Sequence, residues 1–119
     1  MMTHSMFKSI RERSVTPIET DLDGWRKIEG NPTMKTWIEY TSGDQTMICG
    51  WWEATPGTYR ASYAAWEFVH LIEGRITITP DGGPAKEVSP GEAFIIEKGF
   101  EGTWKIHEKV LKHFAIKLK

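Results

Sequence analysis

The side chain most suited to chemistry in this chain is the carboxylate of Glu67, which lies in the apolar run WEFVHLIEG (66–74). Strand alternation puts Glu67 on the side of Val69 and Leu71, the inward side if Glu67 belongs to a site. An unpaired carboxylate among apolar side chains is costly to ionise, and a buried carboxyl group can exchange protons. We therefore predict that Glu67 is a catalytic acid–base. The alternative is a structural carboxylate satisfied by Tyr63 or by a tryptophan N–H group.

Large and cationic side chains in the same region are candidates to bind a small polar metabolite. They are Tyr63, Trp104, Lys112, Arg60 and Trp52. Lys112 shares its alternation face with Phe114 and Ile116, so it is the more interesting cation for an anionic substrate. The alternative for Arg60 is a solvated side chain on an outer face. The six tryptophans either line a ligand pocket or simply fill the interior.

Histidines supply a single candidate metal site, in which His113 and His70 join Glu67 around a divalent cation. His113 alternates with Leu111 and Ala115, which leaves its direction open, and His70 is expected to pack outside. We therefore expect neither a metal nor another cofactor, and this donor set stands as the alternative. A lone Cys49 in an apolar strand indicates a buried thiol rather than a nucleophile.

Composition limits the partners. The 119 residues suit one domain, and 15 basic residues against 16 acidic ones give a net charge of −1. Nucleic acid and anionic membranes require a concentrated basic field, so neither is an expected partner. The longest apolar stretches are too short to span a membrane, and the first residues lack the apolar segment of a secretion signal. The cytoplasm is therefore the expected compartment.

The elements that must hold these side chains are short strands. Residues 1–24 are polar and are expected to form a loosely ordered arm that can include one short edge strand. Residues 25–119 form the predicted domain, in which apolar runs alternate with turn residues every eight to twelve positions. This pattern of short apolar runs and turns is typical of an all-β sandwich or barrel. The predicted strands are 33–41, 46–54, 58–64, 66–73, 75–79, 85–88, 92–97, 102–107 and 110–117.

Four segments give the chain a family resemblance. They are WWEATPGTYR (51–60), WEFVHLIEGRITITPDGG (66–83), PGEAFIIEKGFEGTWKI (90–106) and VLKHFAI (110–116). Together they resemble the small single-domain cupins of the DUF861 type, grouped with the cupin half of ureidoglycine aminohydrolase. The resemblance implies a jelly-roll barrel (a double-stranded β-helix) that pairs into a homodimer. It also implies enzyme relatives that hydrolyse a C–N bond with manganese.

The positions that carry metal ligands in such cupins are largely replaced here. When the cupin motif is aligned on Gly74, its four ligand positions are occupied by Ala61, Tyr63, Glu67 and Gly102. Only Glu67 is a potential metal ligand. Ala61 and Gly102 remove volume where Tyr63 adds it, which favours a lined cavity over a filled one. We therefore expect a degenerate metal site that binds and converts a small polar metabolite by C–N hydrolysis or similar acid–base chemistry. The alternative is a non-catalytic binding or accessory module.

Overall fold

The computed structural model describes residues 6–119, and that part of the chain folds into a single antiparallel eight-stranded sheet without a helix. The strands are β1 (Trp25–Glu29), β2 (Met34–Thr41), β3 (Met47–Ala54), β4 (Gly57–Ser62), β5 (Trp66–Pro80), β6 (Lys86–Val88), β7 (Ala93–Ile96) and β8 (Glu101–Lys117). The predicted all-β class is confirmed. No helix in the described range is long and apolar enough to cross a bilayer.

Two long strands organise the barrel. β5 and β8 pair along their whole length, from Trp66 opposite Lys117 to Pro80 opposite Gly102. On its other edge, β8 pairs first with β4 and then with β3, while β5 pairs first with β7 and then with β6. Each long strand thus belongs to two successive sheet regions. This connectivity curls the sheet around one core, as in a jelly roll.

The predicted strands 66–73 and 75–79 are one strand in the structure. The register between β5 and β8 shifts at Leu71/Glu73, Glu73/Arg75 and Arg75/Ile76. Gly74, with a φ of +94°, lies at these bulges rather than in a turn. A Cβ atom at Gly74 would lie 2.3 Å from the Lys109 carbonyl oxygen, so β8 approaches too closely for a side chain.

Strands 102–107 and 110–117 likewise merge into β8, whereas β1 has no counterpart among the predicted strands. Trp25 is its only half-buried residue, and the following four are exposed. A strand with so little alternation carries no period-2 signal. It forms because it pairs with β4, where Trp25 lies opposite Ala61.

The described part of the arm lies on the barrel surface. Ile18 and Thr36 exchange backbone hydrogen bonds of 2.8 and 2.9 Å, which makes an isolated bridge at the edge of β2. Ser14 donates to the Glu39 carboxylate from its backbone N–H at 2.8 Å and from its hydroxyl at 2.5 Å. Residues 1–5 of the predicted arm lie outside the described residues. The predicted division of the chain at residue 24 stays a prediction.

The core holds large apolar side chains from nearly every strand. The largest that are fully buried include Met34, Trp52, Tyr59, Leu71, Ile76 and Trp104. Two charged residues, Glu67 and Lys112, are buried within the same interior, with 3% and 2% of their residue surfaces exposed. Burying an isolated charge is prohibitively costly, so these two groups require partners.

Candidate functional site

A buried carboxylate with two hydrogen-bond donors forms the centre of the site. Lys112 Nζ on β8 donates to Glu67 Oε2 on β5 at 2.8 Å, and the two side chains are 3% and 4% exposed. The Tyr63 hydroxyl donates to Glu67 Oε1 at 2.6 Å. Each oxygen of one carboxylate therefore accepts from a different part of the chain. We call Lys112, Glu67 and Tyr63 the buried triad.

The backbone around the triad fixes its geometry. In the β5–β8 ladder Leu71 lies opposite Lys112 and Glu67 lies opposite Ile116, so the lysine points inward from a position four residues along β8 from the one that faces Glu67. Tyr63 precedes β5, where its N–H donates to the Phe100 carbonyl at 2.9 Å and its carbonyl accepts from the Gly99 N–H at 2.8 Å. Tyr63 also packs edge-on against the Phe100 ring. The phenol is thus held by the connection between β7 and β8.

Tryptophan rings surround the ammonium group. Lys112 Nζ lies 4.5 Å from the ring centroid of Trp52, 4.6 Å from that of Trp104 and 6.0 Å from that of Trp25. The three rings also contact one another, with centroid separations of 5.1 to 5.7 Å. A desolvated cation over a ring face gains about 2 kcal/mol or more. The rings therefore offset part of the cost of burying Lys112.

Burial changes the acid–base properties of two members of the triad. Desolvation lowers the pKa of Lys112 below its usual value, although the Glu67 carboxylate acts in the opposite direction. Desolvation raises the pKa of Tyr63 well above its usual range, and the charge of Glu67 adds to this effect. Tyr63 is therefore a neutral phenol and a hydrogen-bond donor at physiological pH.

A cavity of about 200 Å³ adjoins the triad. Its walls are mainly apolar side chains of β2, β3 and β8, such as Ile38, Ile48 and Phe114, and the triad contributes polar groups. Thr36 also lines the cavity, and its buried hydroxyl has no hydrogen-bond partner among residues 6–119. A cavity of roughly 150 Å³ accommodates a benzene-sized molecule. The space beside the triad thus suits a ligand of that size or slightly larger.

These residues do not fit a divalent metal. Ala61 and Gly102 face each other in the β4–β8 ladder and offer no donor atom. A Cβ atom at Gly102 would lie 2.3 Å from the Thr79 carbonyl oxygen, so a larger side chain there requires the backbone to move. In the part of the chain that the structure describes, no three His, Cys, Asp or Glu side chains come together as a metal site. The donor set is too poor to fix a metal's coordination.

The structure does not bring together the predicted donor set of Glu67, His70 and His113. The two histidines lie opposite each other in the β5–β8 ladder, and their neighbours Val69 and Phe114 are buried. Because side chains alternate along a strand, both histidines point away from the barrel interior. The His113 ring instead packs 3.9 Å from the ring centroid of Trp51, on the outside of the sheet.

Of the five predicted binding residues, three line the cavity and two do not. Tyr63, Lys112 and Trp52 line the cavity, while Trp104 is fully buried behind Lys112 and is absent from the cavity wall. Arg60 is not part of this site, because its guanidinium bonds the Asp81 carboxylate at 2.9 and 2.5 Å on the outer surface. The outer-face alternative for Arg60 is therefore the one that the structure shows.

Sequence reasoning missed two residues of the site. Trp25 lines the cavity and contacts the Tyr59, Tyr63 and tryptophan rings, but its short strand has no periodicity. Thr36 could have been found, because it shares an alternation face with the buried Met34. A hydroxyl on an apolar face is a signal for a polar site.

Comparisons with solved structures agree with this architecture. A protein of unknown function from Pseudomonas syringae pv. tomato, of the DUF861 family, superposes with a TM-score of 0.73 at 20% identity over 89% of this chain. The Clostridium difficile EutQ protein superposes with a TM-score of 0.63 at 19% identity, over 72% of this chain and 68% of its own. The polyketide cyclase RemF from Streptomyces resistomycificus superposes with a TM-score of 0.68 at 18% identity, over 96% of this chain and 81% of its own.

At these identities the similarity shows the fold, which is the cupin β-barrel that the sequence predicted. The chain spans 46% of the length of the Pseudomonas protein. No curated protein matches it. Residues 41–114, more than half of the chain, match the EutQ-like cupin domain. The chain therefore belongs to the EutQ-like cupin family.

Proposed function

We propose that this cupin binds a small, largely apolar molecule inside the barrel, with one polar head group against the buried triad. The observation that carries the proposal is the position of the triad, because Lys112 and Glu67, 2.8 Å apart, lie at the wall of a cavity of about 200 Å³. Ligand sites in proteins commonly combine such an apolar lining with a few convergent polar groups.

The charges of the triad favour a neutral head group. Lys112 and Glu67 carry opposite charges, so the ion pair has no net charge to offer an anionic substrate. A second carboxylate in the cavity would bury an uncompensated negative charge, which is costly. A carbonyl or amide oxygen avoids this cost and can accept hydrogen bonds from the remaining Lys112 N–H groups or from Thr36. We therefore infer a neutral carbonyl compound or amide as the ligand class.

Binding is better supported than C–N hydrolysis. Both Glu67 oxygens already accept hydrogen bonds, so the proton of a water or substrate would compete with Lys112 and Tyr63 for them. The manganese chemistry that the resemblance to ureidoglycine aminohydrolase implies has no fitting donor set here. The catalytic role of Glu67 stays a prediction, and it is tested by replacing Glu67 with Gln on a confirmed substrate. Unchanged turnover would exclude that role.

The binding proposal is tested by tryptophan fluorescence and calorimetry with a library of neutral amides, ketones and short carboxylic acids. Bound ligands should quench the emission, because Trp25 and Trp52 line the cavity. The variant Ile48→Trp fills the cavity and should abolish the heat of binding. The control Ile28→Trp, at a position 48% exposed on β1, should retain it. A library without a single binder, or binding that survives Ile48→Trp, contradicts the proposal.

A further inference from the structure

Among residues 6–119, Lys112 is the only lysine with a buried side chain. Lys112 lines the cavity, and its amine is hydrogen-bonded to the Glu67 carboxylate and lies 4.5 Å from the ring centroid of Trp52. We propose that Lys112 forms a Schiff base with a small aldehyde or ketone that enters this cavity. This inference rests on the proposed function, because it assigns a covalent chemistry to the same neutral carbonyl ligand.

The geometry supplies the groups that the reaction needs. An amine attacks a carbonyl carbon only in its neutral form, and the attack requires a group that accepts the proton lost from the ammonium. Glu67 Oε2 lies 2.8 Å from Lys112 Nζ and is placed to take that proton. The Tyr63 hydroxyl, 2.6 Å from the other carboxylate oxygen, is the second group through which a proton can pass.

Atoms and charges balance within the site. A proton moves from the Lys112 ammonium to Glu67, and the free nitrogen pair forms a bond to the carbonyl carbon. The carbonyl oxygen takes that proton and becomes the hydroxyl of a carbinolamine. The second nitrogen proton, passed through Glu67 or Tyr63, protonates this hydroxyl, which leaves as water when the C=N bond forms. The product is an iminium at Lys112 and one released water, and no oxidant or reductant is consumed.

The environment favours the iminium product. The ammonium and the iminium carry the same single positive charge, so the pairing with Glu67 and the contacts with the Trp52 and Trp104 rings are retained. The Lys112 side chain is 3% exposed, so bulk water, which would hydrolyse the C=N bond, has little access to it. Burial also lowers the pKa of Lys112, which increases the fraction of neutral amine relative to an exposed lysine.

The test is reductive trapping of the folded full-length chain at pH 7. Propanal and, separately, butanone are added with sodium cyanoborohydride, and alkylation of each lysine is followed by peptide mass mapping. We expect Lys112 to be labelled faster than exposed lysines such as Lys35, because its amine is desolvated and a proton acceptor lies 2.8 Å away. Labelling of Lys112 no faster than Lys35 overturns the proposal.

Variants show whether the reaction occurs in the cavity. Ile48→Trp should suppress labelling of Lys112 and leave exposed lysines unchanged, whereas Ile28→Trp should leave both unchanged. Equal labelling of Lys112 in wild type and Ile48→Trp contradicts a reaction inside the cavity. Circular dichroism confirms that each variant is folded.

A calorimetric titration with butanamide, which cannot form an imine, separates the two proposals. If butanamide binds and Lys112 is not trapped, the Schiff-base proposal fails and the binding proposal stands. If neither is observed, both fail. Trapping at Lys112 together with butanamide binding, both blocked by Ile48→Trp, supports both.

Discussion

Lys112 and Glu67 bury opposite charges in a space lined by tryptophan rings. Their mutual attraction offsets the desolvation of each group, but only while both are present. The ammonium therefore provides, from the protein itself, a positive charge beside the single carboxylate that remains at the metal-ligand positions. This substitution explains how Glu67 can remain buried without a metal.

Removing one partner of the pair should be strongly destabilising. Lys112→Met keeps a long apolar side chain but leaves Glu67 buried without its counter-charge. We expect the free energy of unfolding to fall by about 3–5 kcal/mol, as for other broken buried pairs. Urea denaturation measures this change.

The matched control for Lys112→Met is Lys35→Met, which breaks an exposed ion pair with Glu19 at 3.7 Å. Because exposed pairs contribute little, its effect should stay within about 0.5 kcal/mol. A loss for Lys112→Met that is no larger than this control would contradict a stabilising role for the buried pair.

His113 provides a pH-dependent contribution to stability on the outside of the sheet. Burial, then the charge of the neighbouring His70, lowers the pKa of His113 below its usual 6.5, and a backbone hydrogen bond with Ile10 acts in the opposite direction. As pH falls through 6.5, the unfolded chain therefore binds a proton more readily than the folded protein. The free energy of unfolding should decrease with falling pH until the folded-state pKa is reached.

His113→Gln should flatten this dependence. Urea denaturation at several pH values between about 5 and about 8 gives the slope for each protein. Two other titratable or charged groups lie near His113: His70 across the ladder, and Arg13, whose guanidinium lies 5.4 Å from the Trp51 ring centroid. Both are kept in wild type and in His113→Gln. The same slope in wild type and His113→Gln would show that another group titrates.

At the scale of elements, the bulges in β5 decide which side chains face the core. Glu67, Val69 and Leu71 are buried before the bulges, whereas Ile76 and Ile78 are buried after them. The inward positions therefore change from odd to even residue numbers. Strict alternation would have turned one half of β5 outward. The bulges allow one strand to line the triad at one end and fill the core at the other.

Gly74→Ala should disturb this arrangement. A Cβ atom there would lie 2.3 Å from the Lys109 carbonyl oxygen, and the φ of +94° is unfavourable for alanine. We expect a loss of about 2 kcal/mol or more in the free energy of unfolding. Thermal and urea denaturation measure it.

The control for Gly74→Ala is Gly82→Ala, which has a φ of +74° but open space around the added Cβ. This variant carries the backbone cost alone, about 1 kcal/mol. Equal losses for the two variants would argue that the close approach of β8 is unimportant.

At the scale of the whole molecule, the barrel is closed by contacts between distant parts of the chain. The arm contributes as well, because Asp21 accepts a hydrogen bond of 2.7 Å from the Tyr59 hydroxyl and Leu22 lines the cavity. The cavity therefore depends on residues before the first strand as well as on the barrel itself.

The resemblance to small cupins predicts a homodimer, and this stays a prediction. The apolar side chains of Phe68 and Ile95, which are neighbours across β5 and β7, are 39% and 53% exposed and are candidates for the dimer interface. Sedimentation equilibrium should give twice the chain mass of 13.6 kDa. A mass of a single chain across the concentration range would contradict the prediction.

The sequence by itself determined the all-β class and most strand positions, and it grouped Glu67 with Val69 and Leu71 and Lys112 with Phe114 and Ile116 without deciding which face points inward. These features follow from alternation and turn residues, which are local properties of the chain. Only the tertiary structure decided that Lys112 pairs with Glu67, because these residues are 45 positions apart and meet through the β5–β8 register. The same holds for Trp25, whose place beside Lys112 comes from the pairing of β1 with β4. Pairing between distant strands depends on the whole fold, and no local pattern encodes it.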